Sequence, residues 1–139
     1  DMRLNVFHYP IEGWIDAVVM NVLMGRASMI QLEEFAQTSY QPLGEAFRAI
    51  LAGETRHTES GVTGLRRITQ EPRHRERAQA CVDYWHPRVA ASFGTAGSAR
   101  FEAQRRFGLR HTPNEDLLAR WRRETADLLA ELGLKAPAA

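Results

Sequence analysis

The chain has 139 residues, 44% of them apolar, with 18 basic and 17 acidic side chains and a net charge of +1, the balance expected of one soluble globular domain spanning residues 1–139 rather than a disordered polyelectrolyte or a nucleic-acid-binding protein. No run of 18 uninterrupted apolar residues and no secretory leader pattern occurs, so the expected setting is the cytoplasm, with no membrane partner. The lone Cys81 excludes an internal disulfide, a redox pair and a cysteine zinc site, and reads as a small buried hydrophobe.

Apolar residues recur at spacings of three and four throughout, and no segment alternates with period two, so the fold class expected is all-α. The first helix should begin between Pro10 and Gly13 and run to about Thr38, with Val18, Val22, Met29, Leu32 and Ala36 along one stripe and Gly25 on the same stripe. Thr38-Ser39-Tyr40-Gln41-Pro42 reads as a tight turn with Pro42 at a position that the first helical turn tolerates. The second helix carries the cleanest pattern: Leu43, Ala46, Phe47, Ile50 and Leu51, then Glu54 and His57, then Gly61, Val62, Leu65 and Ile68.

A third helix should start at Pro72 and carry Ala78, Cys81, Val82, Trp85 and Val89, with Pro87 expected to kink or end it. Gly94 to Ser98 reads as a loop. The last helix has a capping-box spacing in Thr112 and Glu115, Pro113 in its first turn and Gly133 just past its end. Its apolar face is Leu117, Leu118, Trp121, Leu128, Leu129 and Leu132, and the tail from Lys135 to Ala139 should fray. The two long helices form a hairpin whose apolar faces are too large to cover each other, so a second helix pair is called for. The third and last helices, a missing N-terminal half, another chain or a homodimer are each able to supply it.

Glu54-Thr55-Arg56-His57 is a Glu-x-x-His motif, and that spacing turns a carboxylate and an imidazole toward one face of a helix. Both are donors that suit iron or manganese, and two such motifs plus two further carboxylates build a di-iron bundle site. On an apolar stripe the pair needs a metal, an ion pair or hydrogen bonds to offset its desolvation. Counting outward from Tyr40, the residue facing Glu54 across the hairpin falls near Gly25 or Arg26. A glycine stands where a companion carboxylate is wanted. Glu33 and Glu34 lie about 12 Å nearer the turn at 1.5 Å per residue, and Arg26 is placed to pair with Glu54 instead of a metal.

The ordered set Phe7-His8-Tyr9-Pro10, Trp14-Ile15-Asp16, Thr38-Ser39-Tyr40-Gln41-Pro42, Glu54-Thr55-Arg56-His57 and Gly61 resembles the second half of the catalytic subunit of the phenylacetyl-CoA epoxidase family. The likeness extends more loosely through Tyr84-Trp85-His86-Pro87, Phe93-Gly94 and Leu132-Gly133-Leu134-Lys135-Ala136-Pro137. It implies a ferritin-like fold and a di-iron centre that activates dioxygen to oxidise an aromatic acyl-CoA, with electrons from a separate reductase and a related non-catalytic partner subunit. Carried over residue by residue, it makes Glu54 and His57 metal ligands and Gly25 a degenerate ligand position, aligned with a ligating aspartate. The family's other ligands come from an N-terminal helix pair, so the chain reads as a fragment, one member of a split pair or a self-assembling half. The alternative to an oxygenase subunit is a non-catalytic ferritin-like scaffold or acyl-CoA-binding partner, and a weaker third reading is iron storage.

Lys135 is the only lysine, so the basic groups are almost all arginine, clustered at Arg66, Arg67, Arg73, Arg75 and Arg77 and again at Arg105, Arg106 and Arg110, with Arg120, Arg122 and Arg123 beyond. They read as solvated helix faces and surface ion pairs, with an anionic nucleotide-bearing thioester as the functional alternative. His8, His74, His86 and His111 read as structural or surface groups, and Trp14, Trp85 and Trp121 as core.

Overall fold

The computed structural model describes residues 6–138. They form five α-helices, α1 (Trp14–Ala36), α2 (Gln41–Gln70), α3 (Pro72–Ala90), α4 (Ala99–Arg106) and α5 (Asn114–Glu131), with a 3-10 turn at Ala91–Phe93. No strand occurs among the described residues. The all-helical arrangement agrees with a ferritin-like helical bundle.

Helix α1 starts one residue after Gly13, whose φ of 110° is open to glycine and strained for other residues. Asp16 in the first turn accepts the Glu12 backbone N–H at 2.8 Å, fixing the entry of the chain. The buried face of α1 is Ile15, Val19, Val22, Leu23, Ala27 and Ile30. Of the expected stripe only Val22 and Gly25 are buried; Val18, Met29, Leu32 and Ala36 are half-buried. The correction has a simple cause: α1 is covered on more than one side, so a second apolar line competes with the one the spacing first suggests. At 23 residues, α1 is the described helix long and apolar enough to cross a membrane. It is the core helix of the bundle, with α2, α3 and α5 all packed on it.

The α1–α2 hairpin closes on small residues. Gly25 faces Thr58, Gly61 faces Val22 and Gly64 faces Val18, a descending and ascending order that makes the pair antiparallel. A Cβ at Gly61 would lie 3.2 Å from Val22 Cγ2, and one at Gly25 would collide with Thr58 Oγ1, so these glycines set how closely the helices approach. The C-terminal half of α2 buries Leu65 and Ile68, but in its N-terminal half Leu43 is 43% and Ile50 is 55% exposed, Ala46 is exposed, and Phe47 and Leu51 are half-buried. The apolar stripe continues along α2; its cover does not.

Helices α3 and α5 seal the other side of α1. Trp85 and Trp121 are fully buried, with indole N–H groups on Asp16 Oδ1 at 2.6 Å and on the Leu23 carbonyl at 3.0 Å. Trp14, expected in the core, is 59% exposed and stacks edge-on against His74. Pro87 does not end α3, which runs three residues further. The bond it omits belongs to the carbonyl of Asp83, and both residues are exposed, so the carbonyl that lacks its helical donor is on the solvent side of the helix.

Helix α4 carries one buried residue, Phe101, and so has no apolar stripe by which the sequence could announce it. Helix α5 begins without the expected box: Thr112 makes no side-chain cap, and its backbone N–H goes to Glu34 Oε1 at 3.0 Å. Its end is as expected. Gly133 at φ 76° lets its own N–H reach the Ala130 carbonyl and the Leu134 N–H reach the Leu129 carbonyl at 2.8 Å, a Schellman closure in which Leu134 and Leu129 are both buried. The tail past it is pinned at its start rather than frayed, since Lys135 and Gln79 exchange two hydrogen bonds of 2.8 and 2.9 Å; its last residue, Ala139, lies outside the described residues.

Candidate functional site

Glu54 and His57 stand three residues apart on α2, in the uncovered stretch that follows Ile50 and Leu51. Glu54 is half-buried and His57 exposed, so neither is the stranded core charge that the stripe alone suggests. Arg26 forms no ion pair with Glu54 among the described residues, and no group of three or more His, Cys, Asp or Glu side chains converges there.

Gly25 does not stand level with Glu54. It faces Thr58, next to His57 and one turn past Glu54, because the hairpin's pairing is offset from a count that starts at Tyr40. The niche a side chain at 25 would use is filled by Thr58, whose Cβ and Cγ2 each lie 3.3 Å from the position of an added Cβ. Thr58 Oγ1 is buried there without a hydrogen-bond partner.

Two carboxylates are buried among the described residues, Glu34 and Asp16, and both are structural clamps. Glu34, 2% exposed, accepts at Oε1 from the backbone N–H of His111 at 2.7 Å, the N–H of Thr112 at 3.0 Å and Arg110 Nε at 3.1 Å. Burial pushes its pKa up, but these donors and the Arg110 charge outweigh it and hold the group below its ordinary value. Asp16, 5% exposed, is governed the same way: burial raises its pKa, while the Glu12 N–H and the Trp85 indole bring the net shift down. Asp16 lay in the resembling segment with no role attached, and the signal for it was a carboxylate three residues into a helix that begins after glycine. The Cys81 thiol is buried and pushed up to about 11, mainly by desolvation, as a small core residue should be.

Several of the remaining sequence candidates make defined contacts. His111 Nε2 lies 2.7 Å from the Gln37 carbonyl, and His86 is buried with its ring 4.6 Å from that of Trp121. Desolvation and then the Arg122 charge lower the His86 pKa. Arg73 pairs with Glu71, Arg75 donates to the Thr69 carbonyl, and Arg120 bridges Glu33 at 2.6 Å and Glu124 at 3.0 Å.

A cleft of about 870 Å³ opens away from Glu54 and His57, at the turn end of the hairpin, between the start of α2, α4 and the α4–α5 connection. The volume therefore lies apart from the two metal-type donors, and chemistry assigned to one does not carry over to the other.

In comparisons with known proteins, no curated sequence matches the chain. The family model described as phenylacetic acid catabolic protein matches residues 2–139. With the helical architecture above, that match places the chain in the phenylacetic acid catabolic protein family, with a role in phenylacetate catabolism.

Proposed function

We propose that the chain is a cytoplasmic subunit, or part of one, of an oxygen-dependent di-iron monooxygenase that oxidises an aromatic acyl-CoA, with Glu54 and His57 as its contribution to the metal centre. The observation that carries this reading is where the pair sits: on a continuous helix, at ligand spacing, beside apolar side chains that the described residues leave uncovered. A second helix pair laid along that face would bury Leu43 and Ile50 and supply the remaining ligands. It would come from another chain, a preceding segment or a second copy of this one.

The donors fit iron in type and spacing, but two donors are not a complete site, and no third lies within reach among the described residues. When bound, iron supplies dioxygen activation, with electrons delivered by a reductase. The chain's own part is to hold the Glu54 carboxylate and the His57 imidazole at fixed spacing, with the Gly25–Thr58 contact locking α2 to α1 beside them. Covering the face would exclude water from both groups.

A second reading has its own observation. Thr58 fills the niche at Gly25, so a carboxylate has no room there without repacking, which favours a non-catalytic ferritin-like scaffold or acyl-CoA-binding partner. The deciding measurement is the iron content of the protein purified with its copurifying chains, for the parent, Glu54→Ala and His57→Ala. Iron present in the parent and lost in both variants at unchanged helix content supports the metal-ligand reading, and turnover of an aromatic acyl-CoA that Glu54→Ala abolishes completes it. Metal absent from all three sinks it in favour of the scaffold.

A further inference from the structure

Between Phe93 and Arg110 the chain makes an excursion that the bundle holds at few points. Of residues 95–109 only Phe101 is buried, and Phe107, at 73%, is the most exposed large apolar side chain among the described residues. Both ends of the excursion are fixed. Upstream, Ser92 and Phe93 are buried; downstream, Arg110 and the N–H groups of His111 and Thr112 are tied to Glu34. The Asn114 side chain joins the two ends: its Nδ2 donates to the Thr95 carbonyl at 3.3 Å, and its Oδ1 accepts from Arg110 at 2.8 Å. A surface loop whose ends meet in this way is a compact unit with its own base. The backbone turns beside that base at Gly97 and Gly108, whose φ of 67° and 69° other residues adopt at a cost.

Away from its base the excursion is fastened at two points. One is Phe101, whose ring lies 5.3 Å from the Arg110 guanidinium. The other is Ser39, which gives its backbone N–H to the Gly108 carbonyl at 2.9 Å and its hydroxyl to the Phe107 carbonyl at 2.6 Å. On the inner side of α4 lies the cleft of about 870 Å³, so α4 borders open space there rather than a packed helix. We propose that residues 96–109 are a lid that opens as one unit while α1, α2, α3 and α5 stay folded, with its base at Asn114, Phe101 as its plug and Ser39 as its latch. Opening carries the Phe101 wall of the cleft away from Phe35 and Phe47, so the lid sets access to that end of the bundle. The latch is in the α1–α2 turn, which couples the lid to any shift of the hairpin. Lid, latch and base all lie outside α2, so they act whether or not Glu54 and His57 hold a metal and whether or not a second helix pair covers Ile50.

The test is hydrogen exchange of the full chain, followed amide by amide, in the parent, Ser39→Ala and Ile68→Val. A helix of 8 residues does not persist alone in water, so the α4 amides exchange once the lid leaves the bundle. The amides of 103–109 should exchange together, with one opening constant at least about a hundredfold larger than that of the α1 and α5 core. Ser39 is exposed, and Ser39→Ala removes one hydroxyl bond from the closed lid, so opening should become about fivefold more frequent at unchanged helix content. Ile68→Val removes one buried methyl group at the far end of the bundle, so the core amides should speed up about fivefold while 103–109 keep the parent rate. An opening constant shared with the α1 and α5 core overturns the proposal. So does a spread of unrelated rates along 103–109, which is fraying turn by turn, or a parent rate there in Ser39→Ala.

Discussion

The two sides of α1 are built on different terms. Toward α3 and α5 it meets Trp85 and Trp121, fully buried, each with its indole N–H on a defined acceptor and surrounded by Leu and Val. Toward α2 it meets Thr58, Gly61 and Gly64 across a seam of small residues, and past that seam α2 turns Ile50 to solvent at 55% exposure. The first side is a core that the chain's own helices cover. The second is close-packed backbone with an unfinished outer face, and the residues that chemistry would use are on it. Stability and proposed function are thereby separated by the thickness of one helix.

That separation is broken most severely from the sealed side. Trp121→Ala removes a fully buried ring that packs on His86 and Phe93 and takes away the indole donor that supplements the helical bond at the Leu23 carbonyl. A loss of about 4 kcal/mol is expected, read as a lower urea midpoint with an unchanged slope. A loss below about 1 kcal/mol would mean that the α5 side is not the core it appears from burial.

Glu34→Ala should cost about 3 kcal/mol, because it leaves Arg110 and two backbone N–H groups in place without their acceptor. The pH dependence has a definite sign. Glu34 and Asp16 have pKa values below the ordinary ones, so their contributions are complete above the usual carboxylate range and are lost as pH falls through the lower folded values. His86, whose pKa desolvation and the Arg122 charge lower, adds an earlier loss that begins as pH drops below its ordinary 6.5, where the unfolded chain takes up a proton that the folded one resists. Thermal melts of the parent and of Glu34→Gln between neutral and acid pH should show a smaller acid loss in the variant; superimposable profiles would exclude Glu34 as a main source.

These clamps also show what the sequence could and could not reveal. Periodicity located the four long helices, because each has an apolar line several turns long, and Gly133 marked the end of α5 because a left-handed C′ position is a local requirement. Helix α4 stayed invisible, since one buried phenylalanine makes no period. Glu34 was unreadable as a clamp because its partners, 76 to 78 residues away, meet it only through the fold, and for Asp16 only the local bond to Glu12 had a sequence signal, since Trp85 is 69 residues away. The Glu-x-x-His pair was legible as spacing, but its exposure was not: an apolar stripe states what a helix can bury, not whether the chain itself covers it.

Gly25→Ala tests the seam. The new methyl would collide with Thr58, and a loss of about 2 kcal/mol is expected, with part of it recovered in Gly25→Ala combined with Thr58→Ala, where the hydroxyl and one methyl are gone. Additive effects in that double-mutant cycle would show that the two residues do not share one space.

The smallest effect bears on the unfinished face. In the chain alone Ile50→Ala should change stability by less than about 0.5 kcal/mol, because more than half of the side chain is already in water and alanine is the better helix former. In an assembly in which a second helix pair covers α2, the same substitution removes a buried side chain and should cost about 2 kcal/mol or more. Melting the variant alone and together with its copurifying chains separates these cases. Equal and negligible shifts in both would mean that the face beside Glu54 and His57 stays open to solvent. That outcome would remove the cover on which a metal site at those two residues depends, whatever the source of the missing ligands.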